Sequence, residues 1–188
     1  METTSTILPP KVWYTAVTPF DSSDGNRWQD YIVWSGLMQL ERVVSLDASL
    51  CPSLIDELSG ADWDHNIAED YLLDYFCCLD YLLQRSSGLS RRNILAVVRN
   101  PESSKSEEVP DLRFEFCGYD LLETRTGISA LLNCGGFPKA FDKSELNKNG
   151  LIDSLERGIS VKQALREEYP DDDHAMCDVW AIWLMNEK

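Results

Sequence analysis

Tyr119-Asp120-Leu121-Leu122-Glu123-Thr124-Arg125-Thr126-Gly127-Ile128-Ser129-Ala130-Leu131-Leu132-Asn133-Cys134-Gly135-Gly136-Phe137-Pro138-Lys139-Ala140-Phe141 is the stretch on which the fold turns. Two apolar runs, 114–122 and 128–132, flank a polar turn at 123–127. Runs this short, bounded by Gly and Pro, have the length of buried strands. A short polar turn between them predicts a hairpin over 112–132. The second run ends in Asn133-Cys134-Gly135-Gly136, where paired glycines allow backbone shapes closed to other residues.

Other strands are expected outward from this centre. Residues 94–98 form an apolar run ended by Asn100-Pro101. Residues 175–185 contain Trp180-Ala181-Ile182-Trp183 and are apolar on both faces. They read as a central strand or a buried helix, and a strand over 176–184 is favoured. Residues 12–17 alternate weakly and suit an edge strand closed by Pro19.

The clearest helical pattern covers 66–84. At 100° per residue, Ala68, Leu72, Tyr75, Phe76, Leu79, Leu82 and Leu83 share an arc of about 120°. Glu69, Asp70, Asp74 and Asp80 fall opposite. A second helix is predicted at 155–169, with Ile159, Leu165 and Tyr169 inward and Pro170 as its stop. Ser53 is placed to cap a short helix ending at Gly60. Residues 28–44 are apolar at many positions and interrupted by Gly36. They read as one helix, or as a helix followed by a strand near 43–46.

Together these elements predict an α+β fold: a single domain over 1–188, with a mixed or antiparallel sheet packed by two or three helices. A loose N-terminal arm is expected at 1–10 and a mobile surface loop at 102–111. A length of 188 residues suits one domain, and 44% apolar residues supply a core and argue against disorder.

The charge, 17 − 32 = −15, opposes direct contact with nucleic acid or an anionic membrane surface. It favours a basic protein partner. No apolar run reaches the length of about 20 residues that a bilayer requires. The N-terminus lacks the basic start and apolar stretch of a secretion signal. The six cysteines form no CxxC pair, and the neighbours Cys77 and Cys78 are poorly placed to bridge. Reduced thiols and a cytoplasmic protein are expected. No phosphate loop, Ser-His-Asp pattern or Cys/His cluster is present, and no cofactor is expected.

Four constellations bear on function. From Val43 to Gln84 the chain has nine acidic residues and no Lys or Arg. Within it, Asp62, Asp64, Glu69, Asp70 and Asp74 form a candidate docking face, with Trp63 as its anchor. A toxin-neutralising or inhibitor role is its most concrete form. The rival is a small hydrolase- or transferase-type enzyme. Cys134 would be the nucleophile, His174 or His65 the base, and the Gly-Gly turn the source of oxyanion N–H groups. Packing of Cys134 as a thiol at a strand end is the simpler reading.

The third constellation is a carboxylate group, Asp47 with Asp120 and Glu123, near apolar runs. Paired carboxylates can do acid–base work, although acids at strand ends commonly serve as turn or cap residues. The fourth has the spacing of a calcium loop: Glu145, Asn147, Asn149, Asp153 and Glu156, with Gly150 at position 6. It departs at position 1, where Glu replaces Asp, and it has no second loop beside it. A polar turn is favoured there. Trp180 and Trp183 have the chemistry to stack a base, but inside an apolar run they read as core.

Several of these segments occur together: Ser45-Leu46-Asp47 with Cys51-Pro52; Gly118-Tyr119-Asp120-Leu121 followed by Ile128-Ser129-Ala130 and Asn133-Cys134-Gly135-Gly136-Phe137; and His174-Ala175 with Cys177 and Trp180-Ala181-Ile182-Trp183. Over residues 28–185 the chain resembles a family of small uncharacterised bacterial proteins. That resemblance implies no activity and assigns no residue a role. Small acidic proteins of this sort are often immunity partners of toxins, which is analogy alone.

Overall fold

The computed structural model describes residues 12–58, 75–102, 111–133 and 136–186. The fold is α+β, built on a four-stranded antiparallel sheet of order β1-β4-β6-β5. The strands are β1 (Trp13–Val17), β4 (Asn93–Arg99), β5 (Phe114–Glu123) and β6 (Cys177–Met185). A small ribbon pairs β2 (Phe20–Asp21) with β3 (Arg42–Val43). The helices are α1 (Asn26–Ser35), α2 (Leu79–Ser86) and α3 (Leu155–Glu168). Among the described residues, no helix is long and apolar enough to cross a membrane.

The sheet is covered on both faces, and β6 shows why. Trp180, Ile182 and Leu184 enter one core, which also takes Trp28, Tyr31 and Ile32 of α1. Val179, Ala181 and Trp183 enter the other, with Leu79 and Leu82 of α2. In a strand successive side chains point to opposite faces, so a run apolar at every position needs a layer on each side. This settles 175–185 as a central strand and places Trp180 and Trp183 in packing. Segment 28–44 also resolves. Helix α1 ends at Gly36, whose φ of 70° is the left-handed conformation of a helix stop, and β3 follows.

The expected hairpin over 112–132 shrinks to one bridge, with the Glu123 N–H donating to Ile128 O and the Ala130 N–H to Leu121 O. Strand β5 instead pairs with β6 along nearly its whole length, from Phe114↔Met185 to Glu123↔Cys177. Its other edge meets two loops, at Leu122↔Ser129 and Tyr119↔Ile152. Residues 128–132 leave the ladder after one bridge. On that edge the ladder cannot run on past Ala130, because the N–H and C=O of Tyr119 are taken by Ile152.

The helix expected over 66–84 is also corrected. Residues 59–74 lie outside the described residues, and 75–78 are extended. Phe76 exchanges both backbone hydrogen bonds with Tyr14, each 2.8 Å. Tyr75 joins one core and Phe76 the other, a strand-like alternation. Among the described residues of this segment, helix runs from Leu79 to Ser86. In α3, Ile159 is 52% exposed rather than inward. The helix buries Leu155, Gly158, Val161 and Leu165, because Gly158 allows close approach to Val179 and Tyr119. The described part of the segment at 53–60 holds a single 3-10 turn, Ile55–Glu57. The predicted arm at 1–10 lies outside the described residues, as does all but the ends of the loop at 102–111.

Candidate functional site

Two segments that β5 brings together build a buried polar network. Asp47 and Asp120 are each 0% exposed, with Ser45 and Ser129 equally buried. Buried carboxylates demand donors, and here they have them. Asp47 Oδ1 accepts from the backbone N–H of Ser49 (2.9 Å) and Leu50 (2.8 Å) and from the Ser49 hydroxyl (3.0 Å). Asp47 Oδ2 accepts from the Ser129 N–H at 2.8 Å, and Asn133 Nδ2 reaches both oxygens at 3.1 Å. Asp120 accepts from the hydroxyls of Ser45 (2.5 Å) and Ser129 (2.6 Å) and from the Leu121 N–H (2.8 Å).

Ser129 therefore links the two acids, its backbone serving one and its hydroxyl the other. The network ties 45–50, β5 and 129–133 into one unit. Burial pushes the Asp120 carboxyl up to about 6; the Ser129 and Ser45 hydroxyls oppose that rise and the charge of Asp47 adds to it. Glu123, at the end of β5, goes the other way. Despite burial, the Thr126 hydroxyl and the N–H groups of Arg125 and Thr126 hold it below the usual range.

These positions agree with the reading of acids near strand ends as turn and cap residues. Asp47 holds the turn at 48–51 and Glu123 the turn at 124–127. The pair is not open to a substrate, since neither side chain has any exposure. Sequence reasoning named Asp47 and Asp120 but missed that Ser45, Ser129 and Asn133 would join them. The signal was there: the motifs quoted for the family resemblance are the segments that meet.

A pH dependence follows. A carboxyl raised from 3.8 to about 6 on folding favours the protonated folded state. Its contribution is complete below the unfolded value and is lost as pH rises through the folded one. Between pH 4 and pH 7 this amounts to about 2 kcal/mol. Asp21, Asp24, Asp172 and Asp178 are held low, so their contributions vanish in acid. Stability is expected to peak near pH 5. Asp120→Asn should flatten the slope between pH 5 and pH 7, as read by urea unfolding at each pH. An unchanged slope would remove Asp120 as its source.

The other candidates are distributed as follows. Asp62, Trp63, Asp64, Glu69, Asp70, Asp74, His65 and Cys134 lie outside the described residues. His174 is buried in the 3-10 turn before β6. Its Nδ1 is 2.9 Å from Asp172, and its ring packs on Phe137 at 5.4 Å between centroids.

The segment with calcium-loop spacing is a turn packed on β5, as the favoured reading had it. Glu145 is paired with Arg157 through both oxygens, at 2.5 and 2.8 Å. Asn147 donates to Cys117 O and to Asp153, and accepts from the N–H groups of Asn149 and Leu151. Asn149 accepts from Arg42, and Glu156 is exposed in the first turn of α3. Among the described residues no group of three His, Cys, Asp or Glu is arranged to hold a metal.

Two surface features escaped the sequence reading. At the C-terminal end of α1, Val33, Trp34 and Met38 are 80%, 56% and 76% exposed. The signal was that 28–44 carries more apolar residues than one helical face can bury. The second is a cleft of about 840 Å³ at one end of the sheet, lined by Arg42, Arg91, Arg92 and Arg113 among others. Its signal was the adjacent pair Arg91-Arg92 just before β4. Compared with known proteins, the chain matches no family model, no curated protein and no solved structure.

Proposed function

We propose that this chain is a cytoplasmic acidic protein-binding module that neutralises or holds a basic protein partner. An inhibitor or immunity protein is its most concrete form. The observation that carries the reading is the apolar patch on α1. A helix end that turns Val33 and Trp34 to solvent, with Met38 in the turn just beyond it, leaves apolar surface uncovered next to charge. Asp30 is exposed one turn earlier, on the side of Val33 and Trp34. A half-exposed Trp within a polar rim has the character of an interface anchor. The net charge of −15 selects a positive partner and speeds its approach.

The test begins with capture from the native host at low salt and identification of what binds. The partner should be basic, and its affinity should fall steeply with salt, because exposed charges are screened beyond about 10 Å at 0.1 M. Trp34→Ala should then weaken binding by about 2 kcal/mol or more, measured by calorimetry on the purified pair. Its thermal melt should barely move, since the side chain is half exposed. A partner of acidic character would sink the proposal. So would one indifferent both to Trp34→Ala and to charge reversal at Asp62, Asp64 and Asp70.

A further inference from the structure

The arginine cleft lies where β6 ends (Leu184 to Asn186), β4 begins (Asn93, Ile94) and β3 supplies Arg42. Its volume of about 840 Å³ is in the range of small-molecule sites. It gathers four guanidinium groups in a chain whose net charge is −15. Like charges brought together repel unless something offsets them.

For two of the four, the protein supplies the offset. Arg91 makes a two-pronged contact with Asp24, at 2.9 and 2.8 Å. Arg113 does the same with Asp111, at 3.0 and 2.7 Å. The other two are held differently. Arg42 donates its Nε to the neutral Asn149 Oδ1 at 2.9 Å, and Arg92 donates Nη1 to the Leu89 carbonyl at 2.5 Å. Among the described residues neither has a carboxylate within ion-pair distance; Asp21, which also lines the cleft opposite Arg42 in the β2–β3 pair, is 3.5 Å from Arg91. Arg42 and Arg92 are each oriented by one neutral acceptor and keep further N–H donors. Ile94 and Leu184 add an aliphatic wall.

From this arrangement we infer that the cleft binds a small organic anion. A phosphate or carboxylate head sits between Arg42 and Arg92, and a short aliphatic body lies against Ile94 and Leu184. Planar guanidinium groups already positioned by neutral neighbours match the oxygens of such a head. The body requirement follows from the wall and separates this ligand from a bare inorganic ion. The site shares no lining residue with the α1 patch, so it stands or falls apart from the protein-binding proposal.

The experiment is a nuclear magnetic resonance titration of the full chain with hexyl phosphate, hexanoate, inorganic phosphate and hexanol. Hexyl phosphate or hexanoate should bind, with shifts at the amides of 90–94 and 184–186. Whichever of the two binds tighter identifies the head. Inorganic phosphate and hexanol should each bind more weakly. The double variant Arg42→Gln with Arg92→Gln should lose at least about tenfold in affinity, because charge-assisted bonds are the strong ones. Arg92→Lys should lose part of this by keeping charge without the fork. Arg166→Gln, which removes a positive charge outside the cleft, should change little.

Thermal melts establish that each variant is folded. If the double variant melts early, Arg92→Lys carries the test alone. No shift at 90–94 with either hexyl anion, or full affinity in the folded arginine variants, overturns the inference. So does inorganic phosphate binding as tightly as hexyl phosphate.

Discussion

Asp47→Ala is expected to be among the most damaging single changes in this chain, lowering unfolding free energy by about 3–5 kcal/mol. The carboxylate is fully buried and takes donors from Ser49, Leu50, Ser129 and Asn133. Alanine removes the acceptor and leaves the donors. The N–H groups of Leu50 and Ser129 are in buried residues and would lose this partner. The loss also spreads, because Ser129 is the residue that reaches Asp120. Asp47→Asn preserves volume but turns an amide donor toward groups that are themselves donors, so it should recover only part. Urea unfolding is the measurement. Asp56→Ala, at an exposed position, should stay within about 0.5 kcal/mol of the parent. A similar small effect for Asp47→Ala would show that the network contributes little.

What the sequence disclosed follows from which forces are local. The double-sided apolar run at 175–185 read as a central strand or a buried helix with the strand favoured, and Val12 to Val17 read as an edge strand; the structure has both strands. Helix α3 was legible over nearly its full length, whereas 28–44 read as one helix or as a helix followed by a strand, the second of which the structure has. The failures share one cause: a distant segment decided the outcome. Residues 128–132 read as a strand, but Ile152 takes the outer edge of β5 at Tyr119. Tyr75 and Phe76 fit a helical arc, yet the free edge of β1 draws them into extended pairing. Ile159 had helical spacing, but the nearness of Val179 to Gly158 set the rotation of α3. The polar network was half legible. Its acids stood out near apolar runs, while its serines and Asn133 gained meaning only when three segments met. The cleft showed only as the pair Arg91-Arg92, because Arg42 is about fifty residues before that pair and Arg113 another twenty beyond it.

Gly118→Ala is expected to cost about 3 kcal/mol or more, through strain that no side-chain rotation relieves. Gly118 has φ of +133°, a conformation that residues with a Cβ rarely adopt. It follows the register shift in β5, where Cys117 is the extra residue between Phe116 and Gly118. A methyl group here would be 2.7 Å from Leu151 Cβ and 2.9 Å from Ile152 O. Both are atoms of the loop that pairs with β5, since Tyr119 and Ile152 exchange backbone hydrogen bonds at 2.8 and 3.0 Å. Relief therefore requires moving 150–152 away from the strand. That motion would pull on Asn149, which orients Arg42 in the cleft. The substitution should thus lower stability and weaken anion binding together, while Gly88→Ala, with open space around its Cβ, should leave both unchanged. Denaturation and the hexyl phosphate titration on the same samples check this. A Gly118→Ala protein as stable as the parent would mean that the bulge relaxes without the loop. Lost stability with unchanged binding would mean that Arg42 is held independently of Asn149.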